Sequence, residues 1–305
     1  MRRALSVLVV VAALVAVWYA AVAPMNIHTV LDQAARDGIE VAPPEAAVRR
    51  DMGGISLVLR NPGAIPLAYA QERPQLPAPH QVVSELWKTT VEQNVTSRRS
   101  LVYHAWITLS ATLLGFGIGT VLGVLLAIGI VHNRAMDMSV MPWAIASQTI
   151  PILAIAPMII VVLNSVGVTG LIPKALISAY LSFFPVVVGM VTGLRSPDAM
   201  QLDLLRTYSA APREVLWKLR LPASMPYLFT SLKVGIAASL VGAIVGELPT
   251  GAAGGLGARL LAGSYYGQTI QIWSALFAAA ILAAGMVGFV GLIQRWTLRR
   301  MGMAT

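Results

Sequence analysis

Residues 202–227 read LDLLRTYSAAPREVLWKLRLPASMPY, a long charge-bearing interruption among the apolar runs of the C-terminal two thirds of the chain. In or just before it stand five basic residues (Arg195, Arg206, Arg213, Lys218, Arg220) and three acidic ones (Asp198, Asp203, Glu214). Apolar residues continue through it at helical spacing, as Leu202, Leu205 and Tyr208, then Val215, Leu216 and Leu219. Charges combined with an apolar stripe predict short amphipathic helices outside the bilayer that present a face to something soluble. Pro222 and Pro226 close the stretch and are read as a stop followed by return into the membrane.

The surrounding composition sets the class. Of 305 residues, 57% are hydrophobic and only 11% charged, with mean hydropathy +0.73. Soluble domains carry about 25% charged residues, so this is a membrane protein. Six apolar stretches reach the roughly 20 residues that a spanning helix needs; they lie near residues 4–23, 101–131, 138–163, 171–194, 223–246 and 272–293. Their continuous apolarity excludes the alternation of a strand barrel. The expected fold is therefore all-α and polytopic, with six transmembrane helices. The net charge of +9 belongs to loops and tails, and no basic–aromatic interleaving reads as a nucleic-acid face. No cysteine is present, which excludes thiol catalysis and cysteine metal sites.

Basic residues set the orientation. Arg2 and Arg3, Arg134, the five bases around the quoted loop, and Arg295, Arg299 and Arg300 all fall on one side of a six-span chain. That side is expected to be the cytoplasm, with both termini inside. Residues 1–23 combine a basic start, an apolar run and Ala-Val-Ala before Pro24, so a cleaved signal peptide must be weighed. The run exceeds the about 7–15 residues of a signal core, and proline directly after the cut is unfavourable, which favours a retained anchor. Residues 24–100 then form a periplasmic segment. In it Ile27, Val30, Leu31, Ala34 and Ala35 share a helical face, residues 55–59 read as a short strand, and residues 82–93 read as an interfacial helix with Val82, Val83, Leu86 and Trp87 on one side. A small structural cap is favoured for this segment over a substrate-handling domain. Residues 101–300 make up the core.

Within the core, Gly115, Gly119 and Gly123 form a ridge that admits a neighbouring backbone, and glycines in spans five and six do the same. Span three contains SQTIPILAIAPM, with polar Gln148 and Thr149 and three prolines interrupting its ladder. It reads either as a pathway-lining helix or as one in which Gln148 holds two helices together. Asn164 is a further candidate lining residue, and so are Tyr180, Phe183, Phe184 and Pro185 of span four, where simple packing is the competing reading. Lys174 and Lys233 are read as snorkelling from span ends. Glu247, followed by GAAGGLG, is either an outer-gate contact on the path or a hydrogen-bond anchor. There is no phosphate loop, no HExxH and no nucleophile elbow, so the chain is not expected to be an enzyme or to hydrolyse ATP. An ion-coupled transporter or channel acting alone remains the alternative; it calls for a buried ionisable pair and a repeat of hydrophobic segments.

The quoted loop resembles the "EAA" loop of permease subunits of bacterial importers of the ATP-binding-cassette type, which reads acid-Ala-Ala, three residues, Gly, nine residues, Ile, one residue, Leu-Pro. Asp203 takes the acidic place, Ser209 the glycine place, Leu219 the isoleucine place, and Leu221-Pro222 the final pair. Leu204-Leu205 and Ser209 depart from the pattern. The resemblance extends from LPAPHQVV at Leu76 through SQTIPILAIAP, LSFFPVVVGMVTGLRS, LPASMPYLFTSLKVG and Glu247 with Gly255-Leu256-Gly257, and is to the nitrate/sulfonate/taurine branch. It implies that the loop docks on a separate ATPase that holds ATP and Mg. Tyr208, Ser209, Ala210, Arg213, Glu214, Val215 and Leu216 would be the docked part, with Arg213 and Glu214 as polar rim and Val215 and Leu216 as apolar anchor. It further implies a second permease copy or homologue, a periplasmic solute-binding protein, and location in the bacterial inner membrane. The solute it implies is a small organic anion or a pyrimidine-like heterocycle.

Overall fold

The computed structural model describes residues 2–249 and 254–303, with side chains from Leu5 onward. Arg2, Arg3 and residues 251–253 of the glycine-rich run therefore lie outside what is said of side chains here. The described chain is helical: α1 Arg2–Arg36, α2 Ala46–Asp51, α3 Gly54–Arg60, α4 Ile65–Ala70, α5 Pro79–Trp87, α6 Leu101–His132, α7 Arg134–Ser147, α8 Ile152–Ser165, α9 Leu171–Leu194, α10 Ala199–Thr207, α11 Pro212–Val215, α12 Leu221–Glu247, α13 Leu256–Tyr265 and α14 Thr269–Arg300. They form two compact units, Met1–Leu101 with Arg259–Phe277, and Val102–Ala258 with Ala278–Thr305.

In the first unit, α1 does not stop at Pro24 but runs through it to Arg36. The reason is burial. Ile27, Val30 and Leu31 are buried with Leu57, Ala64 and Ala68 in one cluster. Each such side chain is worth about 1.5–3 kcal/mol, together more than the roughly 3 kcal/mol an interior proline costs. Residues 55–59 are helical, not a strand. A five-residue strand would need a partner for its backbone groups, whereas the helix satisfies them internally and buries Leu57. Gly54 permits the close approach, since a Cβ there would lie 2.1 Å from the Pro24 carbonyl oxygen. Asn26 pins the proline-rich return: its amide donates to the Ala68 and Leu76 carbonyls at 3.2 and 2.8 Å and accepts from the Leu76 N–H at 3.0 Å. In α5, Val82 turns inward while Val83 and Trp87 stand exposed, so the four apolar residues divide between two faces.

The second unit is built on α9 packed along α12, with α6 across them. The α6 ridge meets α9 directly: a Cβ on Gly115 would fall 2.4 Å from the Ala175 carbonyl oxygen, and one on Gly123 would fall 2.9 Å from that of Phe183. Ser239 on α12 donates to the Thr112 carbonyl of α6 at 2.9 Å, and Ser178 of α9 donates to the Ser239 carbonyl at 2.6 Å. Small residues with hydroxyls are what holds helices together where lipid supplies no hydrophobic drive. The glycines of α14 behave otherwise, since Gly285 and Gly288 meet nothing within 4 Å.

The third predicted span is not one helix. α7 and α8 meet at 98°. Pro151 occupies the extended position before α8 and cannot donate, and proline drives the preceding residue out of the α region. Among the described residues, five helices are thus long and apolar enough to cross a membrane, or six if the bent pair is counted as one span.

Candidate functional site

The loop between α9 and α12 is tied down at both ends. Arg195, closing α9, pairs with Asp137 of α7 at 2.8 Å, and Arg220 donates to the Leu194 carbonyl at 2.9 Å. Between them α10 ends on Ser209, whose φ of +54° is left-handed. The Ser209 and Ala210 N–H groups bond back to the Arg206 and Leu205 carbonyls at 2.8 and 3.0 Å, a helix-closing motif that favours glycine. Glycine at this place in the "EAA" pattern thus has a conformational cause. Glu214 then opens α11, accepting from the Ala211 N–H at 3.1 Å and pairing with Lys218 at 2.8 Å. Its pairing with Lys218 is internal, as is that of Asp203 with Arg206 at 2.9 Å.

Leu216–Arg220 form a wide π-helical turn that leads without a break into α12. Pro222 and Pro226 therefore do not stop the helix. Pro222 falls in the first turn of α12, just after the π turn, where a missing N–H costs least. The C-terminal part of the loop is the end of one helical rod running Pro212–Glu247.

The apolar surface of the loop differs from expectation. Leu216 packs against the cluster of Val186, Val187, Met190 and Leu194, and Val215 and Leu219 are half-buried. The outward residues are Met200, Leu204, Tyr208 and Trp217, at 77%, 57%, 75% and 63% exposure. Met200, Leu204 and Tyr208 repeat every four residues along α10, a signal present in the sequence beside the inward stripe of Leu202 and Leu205. Arg213 and Ala210 flank this surface, with Arg213 exposed.

Four of the six path candidates come together. Gln148 and Thr149 stand exposed at the bend between α7 and α8. The Tyr180 hydroxyl donates to the Ser147 carbonyl at the same bend, and the Tyr180 and Phe183 rings lie 6.1 Å apart. Asn164 sits at the far end of α8, about 20 Å along its axis from the bend. Glu247 is buried away from this group, at 0% exposure, accepting from Thr108 Oγ1 at 2.9 Å and from the Gly257 N–H at 2.8 Å. The anchor reading of Glu247 is the one the geometry favours, because a carboxylate in an apolar bundle must be satisfied by donors. Lys174, in the first turn of α9, is also buried, its ammonium 3.4 Å from the Gly254 carbonyl. An open groove of about 650 Å³ runs between α9 and α12, lined by Phe184 and Pro185, which the sequence offered as path candidates, and by Val188, Thr192, Tyr227, Thr230 and Val234, which it did not. Among the described residues no group of His, Asp and Glu could hold a metal ion.

Residues 119–303 match the family described as "Binding-protein-dependent transport system inner membrane component", more than half of the chain. The chain belongs to this family. Among its relatives, the formylaminopyrimidine transport permease protein ThiX of Halalkalibacterium halodurans is 29% identical, over 71% of this chain and 81% of that one. The riboflavin transport system permease protein RibX of Chloroflexus aurantiacus is 30% identical, over 73% and 80%. The aliphatic sulfonates permease SsuC of Bacillus subtilis is 25% identical, over 64% and 69%. The family match takes in the charged loop, the bend and the α9–α12 groove of this permease, and leaves α1–α5 outside it.

Proposed function

We propose that this permease is the membrane-spanning subunit of a bacterial ATP-driven importer, seated in the inner membrane with both termini in the cytosol and residues 24–100 in the periplasm. The observation that carries the reading is the loop of residues 195–222: an exposed apolar and basic surface at the end of an unbroken rod that reaches Glu247. A separate ATPase, holding ATP and Mg, closes on Met200, Leu204, Tyr208, Arg213 and Trp217 and moves α12 as a body. The solute path is lined by Gln148, Thr149, Tyr180 and Phe183 at the bend, with Asn164 towards the far end of α8. It is completed by a second copy or a homologue across the α9–α12 groove, and a periplasmic binding protein delivers the solute. The relatives' names support a small organic anion or a pyrimidine-like heterocycle as cargo.

The test is reconstitution in vesicles with the cognate ATPase and binding protein. Uptake is expected to require ATP and the ATPase. Uptake by the chain alone, driven by an ion gradient, would overturn the proposal.

A further inference from the structure

Lys233 stands in the middle of the helix α12. Its side chain reaches over Gly291 of α14, whose Cβ position would lie 3.6 Å from the lysine Cε and 3.9 Å from Nζ. Arg295 comes to the same spot, its Nε donating weakly to the Gly291 carbonyl at 3.4 Å. Two cations thus converge within one cavity of about 410 Å³, with Gln294 and Gly288 completing its polar and open sides.

No carboxylate answers them. α6, α8, α9 and α14 contain no Asp or Glu, and the only one on α12 is Glu247, about 21 Å further along the helix. Among the described residues Lys233 makes no ion pair. Basic side chains held together in a bilayer without a counter-charge are costly, and the cavity is open where an anion can enter.

The flank decides which anion. Val287 and Leu298 of α14 line the cavity beside the two bases, and Leu292, about 100° round the helix from Gly291, is exposed, an apolar edge that acyl chains suit. Arg295, at one edge of the cavity, stands four and five residues before Arg299 and Arg300, a basic helix end suited to lie among headgroups. We infer that this cavity binds the phosphate of an anionic phospholipid, held by Lys233 and Arg295 with Gln294 donating, while the lipid tails lie along the α14 flank. Basic pockets between spanning helices are suited to such headgroups.

The full chain, purified in neutral detergent and stripped of lipid, would be titrated with phosphatidylglycerol or phosphatidylcholine and read by native mass spectrometry. Phosphatidylglycerol is expected to be retained in preference, and Lys233→Met or Arg295→Gln is expected to weaken it by about fivefold each. Arg60→Gln, an exposed base of the first unit, is expected to leave it unchanged. Lys233→Arg keeps the charge and is expected to keep the preference, so a variant that fails to fold does not decide the matter. Equal retention of the two lipids, or retention indifferent to both substitutions, would overturn the inference. Competition by inorganic phosphate at the lipid's own affinity would also overturn it, since the site would then be one for free anions.

Discussion

Thr108 on α6 donates its hydroxyl proton to Glu247 at the end of α12, 2.9 Å away, while the same oxygen accepts the N–H of Leu256 at 2.9 Å. One side chain thereby joins a spanning helix, a buried carboxylate and the first residue of α13. Gly255 completes the arrangement: at φ +125° its Cβ would lie 2.2 Å from the Glu247 carboxyl carbon, so no other residue fits.

Removing the donor tests this junction. Thr108→Val leaves a buried carboxylate short of a partner, a loss of about 2 kcal/mol. We expect Tm of the purified chain to fall by about 4–8 °C, with Thr108→Ser retaining most of the stability. An unchanged Tm for the valine variant would show that the junction carries no weight.

The loop makes a sharper prediction because its apolar residues divide between two faces. Leu204→Ala and Tyr208→Ala should weaken co-purification with the ATPase at unaltered stability. Leu216→Ala should instead cost about 2–4 kcal/mol through the cavity left in the cluster around Met190. Arg213→Glu, or deletion of residues 210–215, is expected to abolish co-purification while leaving membrane insertion intact. Uptake that survived the deletion would rule out coupling through this loop.

Ser209 offers a gain. Its left-handed φ costs a non-glycine residue on the order of 1 kcal/mol. Ser209→Gly is expected to raise stability by up to that amount, and Ser209→Val to lower it, as read in paired thermal melts. If both variants matched the parent, the turn would not have the strained backbone described.

Two glycines two residues apart separate packing from propensity. Gly117 has nothing within 4 Å of its Cβ position, whereas that of Gly115 lies 2.4 Å from the Ala175 carbonyl oxygen. Gly117→Ala should be neutral or stabilising by up to about 1 kcal/mol. Gly115→Ala should destabilise the α6–α9 pair, and equal behaviour of the two would contradict the close approach.

The spans were legible because long apolar runs have few alternative fates in a chain of this composition. The charged loop was legible because bases and acids interrupt those runs in one place. At the prolines the outcome depended on what surrounded each. Pro24 is overridden by the burial of Ile27, Val30 and Leu31, and Pro222 is absorbed after a π turn. Pro151 has neither compensation, and the chain bends there. The path candidates at the bend were found through polarity alone, while the α9–α12 groove, lined largely by apolar side chains, gives no such signal.

The continuity of residues 212–247 has a consequence for the far end of the molecule. On the proposed coupling, a helix continuous from Pro212 to Glu247 would carry a stroke received near Pro212 towards the clasp of Thr108, Glu247 and Gly257. The hydrogen bonds of that clasp would then set how much of the stroke is needed to part α12 from α6.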